Sequence, residues 1–269
     1  MNVKKLRLGL IGKDVSNSSS GQIHTFILKE FGVECDYQAI SVSSMELPTI
    51  APFLLGDFDG FNVTIPYKRE MFSYIDDIGK DAFDCGAVNT VVCATRTGYN
   101  TDGVGFMLML ETNGICVKNK KVCILGLGGA GRSIAIALKN AGARVYAYRR
   151  DRQELEEICN GLGVSPLGNP ECGGFDIVIN CTGVGMHDTV GVSPVSEKAF
   201  VDAEWAVDLI YRPQQSEFLR LASENHVKTL NGAAMLFYQA YYADCLYLGL
   251  IPTTEQAKSF YEKYLKELK

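Results

Sequence analysis

The sequence predicts an α/β protein with two domains. Apolar, strand-like segments alternate with helical patterns along most of the chain, which is typical of this fold class. The turn pair Asn113-Gly114 and the polar run 118–121 interrupt the alternation near the middle. A length of 269 residues also suits two domains of about 100–150 residues each.

The elements follow in order along the chain. Before the break, the pattern predicts strands over 6–11, 37–42, 60–63 and 87–93, and helices over 22–31, 67–75 and 103–112. After the break, it predicts strands over 122–125, 145–148, 177–179 and 206–209, and helices over 130–140, 233–248 and 254–268. Such alternation predicts parallel strands that are joined by right-handed crossovers.

The composition excludes several classes of function. Hydrophobic residues make up 47% and charged residues 21%, and the net charge is −5 with no long basic run, so we expect no nucleic-acid partner. The apolar stretch 8–11 is too short for a signal peptide, and no segment resembles a membrane span, so we expect a cytoplasmic protein without a membrane partner. The nine cysteines form no C-x-x-C pair and the three histidines are far apart, so we expect reduced thiols and no metal site.

A glycine-rich turn, Gly126-Leu127-Gly128-Gly129-Ala130-Gly131, follows strand 122–125 and opens a helix. In the pattern G-x-G-x-x-G, glycines allow a tight turn and a close approach of the backbone to a pyrophosphate at the helix amino terminus. The strand before the turn and the helix after it favour dinucleotide binding. The alternative is a strand-to-helix turn that binds no ligand.

The end of the next strand indicates which dinucleotide binds. NAD-binding proteins place an acidic residue about 20 residues after the glycines, whereas this chain has Tyr148-Arg149-Arg150-Asp151-Arg152. Guanidinium groups can bind a 2′-phosphate in a bidentate manner, so the pattern favours NADP. Asp151 could still hold the ribose or simply begin a helix, and the arginines could form a solvated helix start.

Several short motifs occur in order along the chain, three before the glycine-rich turn and three after it. They read G-F-N-V-T-I-P-Y-K (60–68), G-A-V-N-T (86–90), N-T-D-G (100–103), N-C-T-G-V-G-M (180–186), D-L-I-Y-R-P (208–213) and G-A-A-M-L-F-Y-Q (232–239). In these motifs, the chain resembles the shikimate dehydrogenase family over nearly its whole length.

The resemblance implies a domain organisation and a reaction. Residues 1–102 plus 233–269 would form an amino-terminal α/β substrate domain, to which the carboxyl-terminal helices return. Residues 103–232 would form a Rossmann-like NADP-binding domain, with the active site in the cleft between the two. The implied reaction is the reversible, NADPH-dependent reduction of 3-dehydroshikimate to shikimate in aromatic amino-acid (chorismate) biosynthesis.

The resemblance also implies roles for individual residues. Lys68 matches the family's catalytic acid/base, and Asp102 matches its paired aspartate. Besides these two, the expected substrate contacts are Ser18, Ser20, Thr64, Asn89, Tyr211 and Gln239. The cofactor contacts that it implies are Gly126, Gly128, Gly129 and Ala130 in the glycine-rich turn, Arg149 at the adenosine phosphate, and Leu209 and Gly232 near the nicotinamide. Arg150 and Arg152 are expected as further cofactor contacts from the basic run itself, although Arg152 is not at the family's usual position for a second arginine.

These residue types suit the implied chemistry. Ketone reduction needs a hydride donor and a proton donor, and a lysine ammonium that a carboxylate orients can supply the proton. The two serines offer hydroxyl donors to the substrate carboxylate. One departure concerns the family pattern H-S-x-S-P, which here has Gly21 in place of the proline, so the loop is expected to be more flexible.

Two alternative functions remain open. The chain could be a paralogue that resembles quinate/shikimate dehydrogenases, with a different substrate or with a preference for NAD. It could also be a non-catalytic metabolite or cofactor sensor, although a pure sensor would not need the Lys68–Asp102 pair. With a small-molecule substrate as its partner, the protein is expected to be a monomer or homodimer, or one module of a fused pathway enzyme.

Overall fold

The computed structural model describes residues 5–268, which form two compact units. One unit contains the residues up to Leu108 together with those from Leu236 onward, and the other runs from Met109 to Met235. None of the helices within the described residues is long and apolar enough to span a bilayer.

Strands and helices alternate along much of both units. The strands are β1 (Lys5–Gly12), β2 (Glu34–Ser41), β3 (Gly60–Val63), β4 (Asp77–Ile78), β5 (Thr90–Val92), β6 (Thr97–Tyr99), β7 (Lys121–Leu125), β8 (Arg144–Tyr148), β9 (Ser165–Pro166), β10 (Ile177–Asn180), β11 (Trp205–Asp208) and β12 (Lys228–Asn231). The helices are α1 (Ser20–Glu30), α2 (Leu47–Asp57), α3 (Lys80–Cys85), α4 (Asp102–Thr112), α5 (Gly129–Asn140), α6 (Leu155–Leu162), α7 (Glu217–Glu224), α8 (Ala233–Leu248) and α9 (Thr254–Glu267).

The first unit contains a mixed sheet with the order β2-β1-β3-β5-β6-β4. Strand β1 is parallel to β2 and β3, whereas β5 is antiparallel to both β3 and β6. Thr90, the first residue of β5, therefore pairs with Asn62 near the end of β3 and with Tyr99 at the end of β6. Residues that precede β5 thus meet residues that follow β3 and β6 at one edge of the sheet.

The prediction of a helix over 67–75 is wrong. This segment consists of turns followed by a short 3-10 helix, Glu70–Ser73. The carbonyl of Lys68 accepts a hydrogen bond from the backbone N–H of Val88 at 2.7 Å. That carbonyl would have to accept from Phe72 in an α-helix, so the tertiary contact replaces the helical one.

Two further differences concern the first unit. The strand expected over 87–93 is limited to β5, because Cys93 bonds through its N–H to the carbonyl of Asp59 and begins a 3-10 turn. Helix α2 was not predicted from the sequence, and it contains two prolines, which disfavour helix interiors. Pro48 lies in the first turn of α2 and Pro52 lies one turn later, so they cost the helix few of its hydrogen bonds.

The second unit contains six parallel strands in the order β12-β11-β10-β7-β8-β9. Its parallel, doubly wound arrangement confirms the fold class predicted from the alternating pattern. The strand order reverses between β7 and β10. Ligands of such sheets bind outside the carboxyl ends of the strands at this switch point.

Candidate functional site

Lys68 and Asp102 form a close ion pair in the first unit. Lys68 Nζ donates to Asp102 Oδ2 at 2.5 Å, and the two side chains are only 14% and 8% exposed. Tyr67 anchors the turn that carries Lys68, because its buried hydroxyl donates to the carbonyl of Val42 at 2.5 Å. Asp102 is the first residue of α4, directly after the segment that follows β6. The mixed sheet therefore brings the two residues together from different strands.

A buried polar cluster holds the carboxylate of Asp102 in place. Asn89 Nδ2 donates to Asp102 Oδ1 at 2.8 Å, and Asn89 Oδ1 accepts from the backbone N–H of Thr101 at 2.9 Å. The hydroxyl of Thr101 also lies 3.3 Å from Gln239 Oε1, to which it donates. The expected residues Asn89, Asp102 and Gln239 thus lie in one network. Thr101 links them and was not singled out from the sequence, although it stands inside the N-T-D-G motif.

The two serines follow β1 and Thr64 follows β3, in the same sheet. Ser18 and Ser20 lie at the amino terminus of α1, where Ser18 Oγ donates to Ser20 Oγ at 3.0 Å. Ser18 is exposed and Ser20 is half-buried, so both hydroxyls are adjacent and partly open to solvent. Thr64 follows β3, and its N–H donates to the carbonyl of Ile11 in β1 at 2.8 Å.

Gly21, which replaces the family's proline, packs against an aromatic ring. A Cβ at this position would lie 3.2 Å from Cδ1 of Tyr37. The hydroxyl of Tyr37 in turn donates to Asn62 Oδ1 at 3.0 Å, which holds the ring in place. A larger residue at position 21 would therefore require the Tyr37 ring to shift by a few tenths of an ångström. The glycine is matched to its neighbour rather than simply flexible.

In the second unit, the glycine-rich turn lies between β7 and α5. Gly126 has φ +97°, and a Cβ on Gly131 would lie 2.1 Å from the carbonyl oxygen of Gly126, so neither position tolerates a side chain. Gly128 differs, because a Cβ there would meet no atom within 4 Å. The turn therefore leaves open space beside the backbone at the amino terminus of α5, where Gly129 and Ala130 lie. This geometry fits a pyrophosphate group.

The three arginines after β8 do not converge on one point. Arg149 lies 3.3 Å from Glu154 Oε2 and 3.5 Å from Asp151 Oδ2, and its side chain is 25% exposed. Arg152 donates to the carbonyl of Gly168, and Arg150 is exposed. Arg149 is thus positioned by two carboxylates, with which an anionic ligand would compete.

Residues that follow β11 and β12 pack closely together. A Cβ on Gly232 would lie 2.1 Å from the carbonyl oxygen of Leu209, so the two backbone segments are in contact and position 232 requires glycine. Tyr211 is half-buried in the same loop as Leu209. Three buried polar residues of this region, Asn180, Asp208 and Ser216, were not assigned from the sequence. For Asn180 and Asp208, the signal in the sequence was a polar residue at the end of an apolar strand.

The cysteines were expected to be reduced thiols. None of the nine forms a disulfide within residues 5–268, and burial raises the pKa of the Cys123 thiol to about 12, which keeps this thiol protonated and unreactive. Within residues 5–268, no three His, Cys, Asp or Glu side chains lie together as metal ligands would.

Comparisons with known sequences identify the family of this chain. A family model described as the shikimate dehydrogenase substrate binding domain matches residues 10–91. A shikimate dehydrogenase (NADP(+)) from Thermus thermophilus is 34% identical over 249 residues, which cover 92% of this chain and 94% of that protein. One from Methanocaldococcus jannaschii is 35% identical over 274 residues, which cover 96% of this chain and 97% of that protein.

Solved structures show the same relationship over the whole fold. Shikimate 5-dehydrogenase from Thermus thermophilus, in complex with NADP(H) and shikimate, matches with a TM-score of 0.87 and 32% identity over 96% of this chain and 99% of that one. A chorismate mutase/shikimate 5-dehydrogenase fusion protein from Clostridium acetobutylicum matches with a TM-score of 0.88 and 32% identity over 99% of both chains. The chain therefore belongs to the shikimate dehydrogenase family.

Proposed function

We infer that this protein is an NADP-dependent shikimate dehydrogenase, which catalyses the reversible reduction of 3-dehydroshikimate to shikimate. The observation that carries this conclusion is the Lys68–Asp102 pair at 2.5 Å, held by Asn89 in a largely buried cluster. Relatives at 34–35% identity over more than nine-tenths of the chain bear this activity in their names.

The chain's own residues supply the proton chemistry. Lys68 donates a proton to the ketone oxygen during reduction and takes it back during oxidation. Asp102 holds the ammonium group at its Oδ2 atom, while Asn89 fixes the other carboxylate oxygen. The nicotinamide, when bound, supplies or accepts the hydride.

The remaining substrate contacts follow from the shape and charge of shikimate. Ser18 and Ser20 offer adjacent hydroxyl donors for its carboxylate. The side chains of Thr64, Asn89 and Gln239 provide short polar partners for its hydroxyl groups, and Tyr211 is a further contact. The substrate domain that we propose is residues 1–102 plus 233–269.

The proposed NADP-binding domain is residues 103–232. Its pyrophosphate site is the open space at Gly128, where Gly126, Gly129 and Ala130 complete the turn at the helix amino terminus. The 2′-phosphate is bound by Arg149, with Arg150 or Arg152 as a second cation. Leu209 and Gly232 line the nicotinamide end.

The test is an activity matrix of two substrates and two cofactors. Absorbance at the nicotinamide band is followed with shikimate or quinate, each combined with NADP or NAD. We expect the highest kcat/KM with shikimate and NADP. A preference for quinate or NAD would identify the paralogue instead, and tight binding of shikimate and NADP without turnover would identify a sensor.

The cellular setting is also part of this proposal. We propose a cytoplasmic protein that works as a monomer or homodimer, which size-exclusion chromatography with light scattering distinguishes. The fusion protein from Clostridium acetobutylicum shows that a relative joins this fold to a chorismate mutase. A fused arrangement is therefore the alternative for this chain, and the length of the native transcript tests it.

A further inference from the structure

Asp208, the last residue of β11, is a fully buried carboxylate with three hydrogen-bond donors. Its Oδ1 atom accepts from Asn180 Nδ2 and from the backbone N–H of Ile210, both at 3.0 Å. Its Oδ2 atom accepts from Ser216 Oγ at 2.5 Å. A buried carboxylate is costly unless donors surround it, so this arrangement orders the groups that supply them.

Asn180, the last residue of β10, also forms hydrogen bonds with the loop that follows β10. Its side-chain oxygen accepts from both the N–H and the hydroxyl of Thr182, at 3.0 and 2.6 Å. Its Nδ2 atom also donates to the carbonyl of Val184 at 3.2 Å. The segment that follows β10 is therefore fixed by the same side chain that bonds to Asp208.

Ser216 closes the loop that follows β11. It is the N-cap of α7, and its hydroxyl oxygen accepts from the N–H of Leu219 at 3.3 Å. Asp208 thus bonds to both ends of the loop 209–216, through Ile210 at the start and Ser216 at the finish. The loop carries Leu209 and Tyr211, and its backbone packs against Gly232.

The hydrogen-bond network of Asp208 lies on the side of the sheet where the nicotinamide end of a dinucleotide would bind. The glycine-rich turn follows β7, and Arg149 follows β8 on one side of the switch point. The loops after β10 and β11 lie on the other side. Since a dinucleotide binds across the switch point with its pyrophosphate at the turn, the Arg149 side takes the adenosine end and the opposite side takes the nicotinamide end.

We propose that Asp208 is a positioning residue for the nicotinamide end of NADP, acting through Asn180 and Ser216 on the loops after β10 and β11. This inference rests on the proposed function. A carboxylate accepts from all three neighbours, whereas a carboxamide would turn its own N–H toward a donor. Burial raises the pKa of Asp208 to about 6, which agrees with a carboxylate that has little contact with water.

The test compares Ser216→Ala and Asp208→Asn with a matched control pair in the same unit. Ser196 caps a 3-10 helix and donates to Glu171 Oε2 at 2.6 Å, so Ser196→Ala and Glu171→Gln remove an equivalent serine–carboxylate contact outside the proposed site. Two affinities are measured for each variant. NADPH is titrated by its fluorescence, and adenosine 2′,5′-bisphosphate, which lacks the nicotinamide end, is titrated by calorimetry.

We expect Ser216→Ala and Asp208→Asn to raise the Kd for NADPH by about ten-fold or more, as for the loss of a hydrogen bond to a charged group. Their Kd for the bisphosphate should stay within about two-fold of wild type, and the control variants should keep both affinities. If Asp208→Asn does not fold, Ser216→Ala decides, because it leaves the carboxylate and its two other donors in place. Wild-type affinity for NADPH in a folded Ser216→Ala variant, or equal losses for both ligands, would overturn the inference. A wild-type protein that does not bind NADPH would overturn the proposed function and this inference with it.

Discussion

The Lys68–Asp102 pair makes the strongest prediction about the chemical step. Lys68→Met removes the ammonium group and keeps an unbranched side chain of similar length. Since positioned acid–base groups contribute about 10²–10⁴-fold to rate, turnover of shikimate should fall by at least about 10²-fold. In this variant, Asp102 still accepts a hydrogen bond from Asn89, so the polar cluster around Asp102 should remain folded.

The size of the second perturbation follows from the geometry of the pair. Asp102→Asn keeps the shape of the side chain and removes the charge that faces Lys68 Nζ at 2.5 Å. The side chains are only 14% and 8% exposed, so water screens their interaction little. A hydrogen bond between charged groups contributes about 1.5–3 kcal/mol, which corresponds to a loss of about 10–150-fold in kcat/KM.

The double variant tests whether the two residues act as one unit. If Asp102 works by orienting Lys68, the double variant should be little worse than Lys68→Met alone. The assay is steady-state kinetics at the nicotinamide band, with NADP affinity and circular dichroism as folding controls. Affinity for NADP should not change, because the proposed cofactor contacts lie in the other unit. Near-normal turnover in a folded Lys68→Met protein, or losses that multiply in the double variant, would refute the proposed roles.

Three further predictions concern cofactor, substrate and pH. Arg149→Ala should raise the KM for NADP about ten-fold and leave the KM for NAD nearly unchanged; equal losses would contradict a 2′-phosphate contact. Ser18→Ala and Ser20→Ala should each raise the KM for shikimate several-fold with little change in kcat, and wild-type KM in both would exclude a carboxylate site there. Burial raises the pKa of Asp208 from 3.8 to about 6, so the folded state binds this proton more tightly than the unfolded state. The stability that the proton contributes, about 3 kcal/mol, is complete below about pH 4 and is lost as the pH rises through 6. As the pH rises from 4 to 7, the free energy of unfolding of wild type should therefore fall relative to that of Asp208→Asn, as measured by chemical unfolding. A difference between the two proteins that does not change with pH would contradict the raised pKa.

Local features of the second unit could be predicted from the sequence. Strand β7, the glycine-rich turn and α5 are consecutive in the sequence, and the pattern of apolar and glycine residues identifies all three. The same holds for the apolar strands that become β8, β10 and β11. Because a parallel sheet is built from repeated strand–helix units, the local pattern was enough to predict its architecture.

The convergence of the candidate site could not be predicted from periodicity. Lys68, Asn89 and Asp102 are separated by up to 34 residues, and they meet because β5 runs antiparallel to β3 and β6. No local pattern reveals that direction, and the short strand β6 was not predicted at all. The resemblance to a family supplied the residues, and the sheet supplies the physical reason that they lie together.

Three buried carboxylates of this protein differ in how their oxygens are held. Asp208 is the last residue of the apolar strand β11, and Asp102 stands three residues after the short strand β6, so each lies at the carboxyl edge of a sheet. Asp244 is also fully buried, but it lies inside α8, where His24 Nδ1 contacts its Oδ1 atom at 2.6 Å. Its Oδ2 atom has no hydrogen-bond partner among residues 5–268, whereas both oxygens of Asp208 and Asp102 have donors. Since burying a charge is costly, a carboxylate whose two oxygens are both held by side-chain donors orders the groups around it. Within the described part of this protein, the two carboxylates at or just after the end of a strand have side-chain donors on both oxygens, whereas the one in the middle of α8 does not.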